Sequence, residues 1–127
     1  MNNALGLIGI AKRAGKIAIG EDMCSIAVRD KKARAICTAS DASERTKSFA
    51  ESCGVPHLPL EITKAELGTL LGRTSCAQLV FLDIGIASAV AEKLAAVNPM
   101  YNDVCESLSE AAARAKKRKL KKQSRKG

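Results

Sequence analysis

The sequence predicts an α/β sandwich around one mixed sheet of about four strands. Helix and strand patterns alternate along most of the chain, which is typical of a sheet covered by helices. The segment CAQLVFLD (76–83) is a nearly continuous apolar run, and this indicates a strand that is buried on both faces. With 127 residues, the chain is long enough for one domain with a single core.

The first third of the chain predicts helix, strand and helix. Apolar residues spaced by three and four positions indicate a helix over 3–14, and Gly15 ends it. A short strand follows over 16–19. Gly20 then leads into a second helix over about 21–30, with two acidic residues in its first turn.

The middle of the chain continues the alternation. ARAICTA (33–39) has the composition of a strand, and either Asp41 or Ser43 caps the third helix, which Gly54 ends. The next strand is VPHLPL (55–60).

The remaining elements are a short helix, the apolar strand and a long helix. Thr63 and Glu66 have the spacing of a capping box for a helix that continues through Leu71. After strand 76–83, an apolar stripe from Ile86 predicts a helix that ends at Asn98-Pro99. From residue 102 onward we expect partial order at best, since isolated helices are marginally stable.

The net charge of +8 is concentrated at the C-terminus. Residues 1–113 carry 12 basic and 13 acidic residues, whereas residues 114–127 carry nine basic residues and no acidic one. We therefore predict a folded domain over 1–97 and a basic, partly helical or disordered extension over 98–127. A run of like charge favours a polyanionic partner. The residues expected to contact phosphate are Arg114, Lys116, Lys117, Arg118, Lys119, Lys121, Lys122, Arg125 and Lys126.

A second anion site is predicted near the N-terminus. The first helix ends in a Lys-Arg pair, and the second begins at Gly20, where free N–H groups and the helix dipole favour anions. Lys12, Arg13 and Lys16 form a basic rim that we expect to face this helix terminus. Solvated surface lysines between ordinary elements are the alternative interpretation.

No enzyme signature is present. GIAKRAGK fails as a phosphate loop, because five residues separate Gly9 from Gly15 where that motif has four, and Ile17 replaces its Ser or Thr. His57, the only histidine, lies in a predicted strand and is more easily explained as structural than as catalytic. The five cysteines are odd in number and widely spaced, which disfavours a metal or disulfide framework. We expect no catalysis, cofactor, metal or small-molecule substrate.

The sequence also disfavours a membrane. No apolar run approaches the roughly 20 residues of a membrane span, and no positive charge precedes the short apolar stretch at the N-terminus. Leu120 is the only large apolar residue of the tail, which is too little for interfacial anchoring. We expect a cytoplasmic protein.

Three sequence blocks resemble a known family. AKRAGKIAIGED, KKARAICTASDASERTK and VPHLPLEITKAELGTLLGR occur in the family's order and spacing, and KAELGTLLGR is particularly characteristic. Over residues 4–97 the chain resembles the ribosomal L-seven-Ae and L-thirty-e family of kink-turn RNA-binding proteins, and within it the small bacterial branch called YlxQ. The resemblance implies a three-layer α/β/α sandwich that binds RNA without catalysis.

The resemblance also implies where RNA contacts this chain. One group lies around the start of the second helix, another follows the short helix, and the loop at Ala42 and Ser43 adjoins them. The family's second helix typically begins Gly-x-Asn-Glu-x-x-Lys, whereas here it begins Gly20-Glu21-Asp22-Met23-Cys24-Ser25-Ile26. The implied contacts are Lys16, Gly20, Glu21, Asp22, Met23, Ile26, Arg73, Thr74, Ser75 and Cys76.

Two hypotheses follow for the function. The first is a non-catalytic protein of ribosomal type that binds structured RNA, because only three aromatic residues are available to stack on single-stranded bases. Kink-turn RNA, ribosomal RNA, the ribosome and transcription or translation factors are its candidate partners. Lys12, Arg13, Lys31, Lys32 and Arg34 supply further phosphate contacts. The second hypothesis is a protein-interaction adaptor with the tail as an electrostatic tether.

Overall fold

The computed structural model describes residues 2–125 of the chain, with side chains described for residues 3–121. Within these bounds there are six α-helices and four strands, and helices and strands alternate as far as the fifth helix, as the sequence predicts. The helices are α1 (Asn2–Arg13), α2 (Glu21–Arg29), α3 (Glu44–Ser52), α4 (Lys64–Leu70), α5 (Ile84–Val97) and α6 (Asn102–Arg125). The strands are β1 (Ile17–Ile19), β2 (Ala35–Thr38), β3 (His57–Pro59) and β4 (Gln78–Phe81), and a 3₁₀ turn over Pro99–Tyr101 joins α5 to α6.

The four strands form one mixed sheet in the order β1-β4-β2-β3. β4 is antiparallel to both β1 and β2, and β3 is parallel to β2. Strands β1, β2 and β3 therefore run in one direction and β4 in the other. As a result, β1, β2 and β3 end at the edge of the sheet where β4 begins. The loops that follow these three strands therefore lie together with the loop that precedes β4.

Helices cover both faces of the sheet, which confirms the predicted sandwich. β4 is buried along its whole length. Leu79 and Phe81 pack with α1, α4 and α5 on one side, whereas Val80 packs with α2 and α3 on the other. The alternation of side chains along a strand explains how one apolar run fills two cores.

The turn and cap residues behave largely as predicted. Gly15 and Gly54 have positive φ angles of 70° and 80°, which suits residues that end helices. Of the two alternative caps of α3, Ser43 is the one used. Asp41 instead accepts a hydrogen bond of 2.7 Å from the backbone N–H of Lys64, at the start of α4.

Helix α6 is longer than the sequence predicts. It runs over Asn102–Arg125, although only partial order was expected there. Apolar residues attach the segment to the core: Tyr101 and Leu108 are each 1% exposed and belong to the larger apolar cluster, and Val104 and Cys105 pack against it. The lysines, arginines and alanines that follow have high helix propensity, so the helix continues beyond this packing. No helix in the described part of the chain is both long and apolar enough to cross a membrane.

The cysteines are free thiols, and three of them serve as small core residues. Cys24 and Cys37 are fully buried, and Cys76 is 4% exposed. Burial raises the pKa of the Cys24 thiol to about 12, and it also raises the pKa of the Cys37 thiol. These thiols stay protonated near neutral pH and pack as apolar groups.

Candidate nucleic-acid interface

Three helices begin at one end of the sheet. The residues that precede α2, α3 and α4 are Gly20, Ser43 and Thr63, and the loop over 73–77 leads into β4 at the same place. We call this region, the three N-termini with residues 73–77, the cap end. The Gly20 N–H donates to the carbonyl of Gln78 at 3.2 Å. The residues expected around the start of α2 and those expected after α4 therefore lie side by side.

The N-terminus of α2 differs from those of α3, α4 and α5. Ser43, Thr63 and Asp83 cap these three helices with side-chain oxygens, whereas Gly20 has no side chain to cap α2. Gly20 has a φ of 94°, a conformation that residues with a Cβ rarely adopt. The first N–H groups of α2 thus receive no side-chain cap, and they carry the positive end of the helix dipole.

The first turns of α2 present acidic and apolar side chains to solvent. Glu21 and Asp22 are exposed, while Met23 and Ile26 keep 54% and 40% of their surface accessible. Glu21 forms an ion pair of 3.0 Å with Arg45 on α3, and both side chains are well exposed. This pair ties the starts of α2 and α3 together and contributes little stability.

The loop after α4 is held against a glycine. A Cβ on Gly68 would lie only 2.6 Å from the Cα of Ser75 and 2.7 Å from its backbone nitrogen. Arg73 donates its N–H to the Gly68 carbonyl at 2.8 Å. The missing side chain therefore lets the loop cross α4 closely, and it leaves Arg73, Thr74 and Ser75 exposed at the cap end.

Cys76 does not share this exposure, although the resemblance implies an RNA contact there. Its side chain is buried, and its thiol donates to the carbonyl of Gln78 at 3.3 Å. Burial also raises the pKa of the thiol. Of this loop, only Arg73, Thr74 and Ser75 present side chains to a partner.

Lys16 of the predicted basic rim lies at the opposite end of β1 from the start of α2. Lys16 immediately precedes β1, and its carbonyl accepts a hydrogen bond of 2.8 Å from Leu82, just after β4. Gly20 follows the other end of β1. Four residues of extended chain span about 13 Å, so Lys16 and the α2 N-terminus do not face each other. Lys12 donates to the carbonyl of Leu71 after α4, and Arg13 is exposed at the end of α1.

The other predicted basic residues join Lys16 at this second end of the sheet. Lys31 and Lys32 follow α2, and Arg34 immediately precedes β2 and donates its N–H to the Phe81 carbonyl at 2.7 Å. All four of these residues are exposed. We call the group of Lys16, Lys31, Lys32 and Arg34 the basic end.

Helix α6 also leads to the basic end. Ser109 lies against Ser88 of α5, with 3.3 Å between their hydroxyl oxygens. Farther along α6, Ala115 and Arg118 share a cleft with Arg34. The tail residues Arg114, Lys116, Lys117, Lys119 and Lys121 are exposed as well. Lys126 lies outside the described residues, and so do the side chains of Lys122 and Arg125.

Comparisons with known proteins identify relatives of the chain. A protein from Enterococcus faecium named RNA-binding protein YlxQ is 36% identical over 74 residues, which are 55% of this chain and 71% of that protein. A protein of the same name from Bacillus subtilis (strain 168) is 31% identical over 86 residues, which are 65% of this chain and 85% of that protein. The chain belongs to the YlxQ family.

A solved structure supports the fold of this YlxQ-family chain. It is a protein with unknown function from Bacillus halodurans, with 25% identity and a TM-score of 0.64. The match covers 70% of this chain and 93% of that one. No protein-family model matches the chain.

Sequence reasoning missed three contributors to the cap end of this YlxQ-family protein. Arg45 pairs with Glu21 across two helices, Gln78 fixes Gly20 through its carbonyl, and Gly68 supports the loop over 73–75. Only Gly68 has a sequence signal, since an isolated glycine inside a helical pattern indicates a close approach. The other two contacts depend on strand order, which local patterns do not contain.

Proposed function

We propose that the chain is a non-catalytic RNA-binding protein whose cap end contacts structured RNA. One observation carries the proposal: the start of α2 has no side-chain cap and is hydrogen-bonded beside the exposed loop over 73–75. Both regions are those expected from the family resemblance. The name of the two YlxQ relatives, RNA-binding protein, supports the same role.

The groups at the cap end suit a folded RNA backbone. The N–H groups at the start of α2 offer donors to phosphate, Arg73 offers a cation, and Thr74 and Ser75 offer hydroxyls that bind phosphate or 2′-OH groups. Met23 and Ile26 provide apolar surface against sugars and bases. Phe81 and Tyr101 are buried and Phe49 is partly buried, so the interface uses no aromatic stacking platform.

Kink-turn RNA and ribosomal RNA are the target classes that we propose, with the ribosome or transcription and translation factors as neighbours in the cytoplasm. The basic tail adds phosphate contacts to the same complex. Such contacts release counterions, and binding that depends on them weakens steeply with salt.

The test is RNA binding at low and at moderate salt, with a kink-turn RNA and a matched unkinked control. We expect the full chain to bind structured RNA at low salt, and a preference for the kinked form identifies kink-turn recognition. A chain ending at residue 113 keeps Tyr101 and Leu108 in the core and loses nine basic residues. We expect it to bind about tenfold or more weakly, with a flatter salt dependence. Absence of binding to either RNA at low salt overturns the proposal.

The second candidate function is a protein-interaction adaptor on the same fold. The exposure of Met23 and Ile26, one turn apart on α2, favours it, because apolar side chains at i and i+3 form a stripe that a partner can cover. The substitution Met23→Glu distinguishes the two functions. If RNA contacts this stripe, the added negative charge weakens RNA binding; if only a protein covers it, RNA binding is unchanged.

A further inference from the structure

The basic end is a surface of its own, separate from the loops described above. Lys16, Lys31, Lys32 and Arg34 lie where β1 and β2 begin, and they are exposed. Lys31 adopts a φ of 58°, and its carbonyl accepts a hydrogen bond of 3.3 Å from the Arg34 guanidinium. The turn after α2 thereby holds Arg34 beside its neighbours, so the cluster has a defined arrangement.

Helix α6 brings a second set of cations to this surface. It returns antiparallel along α5, because the 3₁₀ turn joins the end of one helix to the start of the other, and Ala111 and Ala115 lie beside Ile84 at the start of α5. From residue 116 to 121 every side chain is exposed. The basic half of α6 therefore leaves the core at the basic end.

A cleft joins the two sets of cations. It has a volume of about 250 Å³, with Arg34 and Arg118 among its lining residues and with Ile84, Ala111 and Ala115 as its apolar lining. The two arginines are 84 residues apart in the sequence. Only the fold brings them together, and two guanidinium groups at one cleft match the geometry of a phosphate.

The two arginines of this cleft form no ion pair among residues 3–121. Among residues 3–121, no carboxylate oxygen lies within 4.0 Å of the guanidinium nitrogens of Arg34 or Arg118. Two carboxylates near the surrounding turns already have partners. Asp30 pairs with Arg29 at 3.1 Å, and Asp83 accepts the N–H of Ile86 at 3.1 Å.

We propose that the basic end and α6 together form a second RNA-backbone-binding surface, with a phosphate held between Arg34 and Arg118. This inference rests on the proposed function and adds a second contact region to it. Since the basic end and the cap end lie at opposite ends of β1, the protein contacts two separated stretches of backbone. A bound RNA must pass along the domain or present two of its segments.

Hydroxyl-radical footprinting tests whether the protein contacts two stretches of RNA backbone. The probe is a kink-turn RNA that carries two extended helical arms. The full chain is expected to protect two separate backbone stretches at low salt. The double variant Arg34→Gln/Arg118→Gln is expected to lose one stretch and keep the other. Arg73→Gln, at the cap end, is expected to weaken the stretch that the double variant keeps.

Single variants measure the contribution of each arginine. Arg34→Gln and Arg118→Gln are each expected to weaken binding about threefold to tenfold at low salt. Each is also expected to lower the salt slope by about 0.7 to 0.9, as for the loss of one phosphate contact. Lys93→Gln removes one exposed charge from α5 and serves as the matched control, with an unchanged slope expected. Arg118 lies on the exposed half of α6, so its variant keeps the fold.

The possible results distinguish the second surface from an effect of net charge and from failure of the proposed function. Two protected stretches that persist in the double variant overturn the second surface, as does a single stretch in the full chain. An equal change of slope for Lys93→Gln attributes the effect to net charge alone and also contradicts the proposal. No binding by the full chain at low salt overturns the proposed function itself, which is a different and recognisable outcome.

Discussion

The two ends of the sheet offer a bound anion different kinds of donor. At the cap end, the N–H groups at the start of α2 add backbone donors to the side chains of residues 73–75, and the charged side chains include both signs, as in the Glu21–Arg45 pair. At the basic end, the exposed lysine and arginine side chains provide the donors and the positive charge. Backbone donors have fixed positions and suit a shaped RNA, whereas flexible cations bind any phosphate backbone. The first arrangement favours recognition and the second favours affinity.

Charged residues that are close in the sequence do not necessarily share a surface in the fold. Lys16 and Gly20 are four residues apart, yet a strand separates them, whereas Arg34 and Arg118 share a cleft. Strand β1 separates Lys16 from Gly20, and the packing of α6 along α5 brings Arg118 to Arg34. Charges that look like one site in the sequence are therefore divided between two surfaces.

The largest expected effect is a loss of stability when the anchor of α6, which brings cations to the basic end, is removed. Leu108 is 1% exposed and fixes α6 to the core, so Leu108→Ala should lower the free energy of unfolding by about 2 to 5 kcal/mol. Denaturant unfolding measures this. The exposed Leu120→Ala change on the same helix is the control and should cost less than about 0.5 kcal/mol. Similar losses for both variants would mean that α6 is not anchored at Leu108.

A smaller effect is expected from Gly68→Ala at the cap end. The added Cβ would press on the backbone of Ser75 at 2.6 Å, so the loop over 73–75 must shift, at a cost of about 1 to 3 kcal/mol. RNA binding should weaken at the cap end, while the salt slope contributed by the basic end is retained. Gly6→Ala, where a Cβ meets nothing within 4 Å, is the control. Unchanged stability and binding in Gly68→Ala would contradict the close approach.

The smallest effect is a pH dependence at the edge strand β3. His57 Nε2 lies 2.8 Å from the Thr38 hydroxyl, and burial lowers the pKa of His57 below its usual 6.5, against a smaller opposing effect of Glu51. The unfolded chain then binds the proton more readily than the folded one. Stability should be full above pH 6.5 and should fall as the pH drops through the lowered pKa.

Denaturant unfolding between pH 7.5 and 5 checks this, with His57→Gln as the comparison. The variant lacks the only histidine, so its stability should fall less over this range. RNA binding through the cations of the basic end should not follow the titration of His57. Parallel pH profiles for the two proteins would show that His57 does not titrate differently on folding.

Local patterns predicted much of the fold. The capping box at Thr63 and Glu66, the glycine turns and the doubly buried strand β4 are all present, because caps, φ angles and periodicity depend on neighbouring residues. The candidate site was predicted less completely. The convergence of the α2 start with the loop over 73–75 came from family resemblance, and the positions of the basic residues and the burial of Cys76 depend on long-range packing.

By itself the sequence determined the order of helices and strands up to residue 97, which residues are apolar enough for the core, and how many charges the chain carries. The tertiary structure decided which charges meet. Strand order places Lys16 and Gly20 at opposite ends of β1, and the packing of Tyr101 and Leu108 directs the basic half of α6 to Arg34. The reason is physical: secondary structure follows from interactions a few residues apart, whereas a charged surface is defined by contacts between distant parts of the chain.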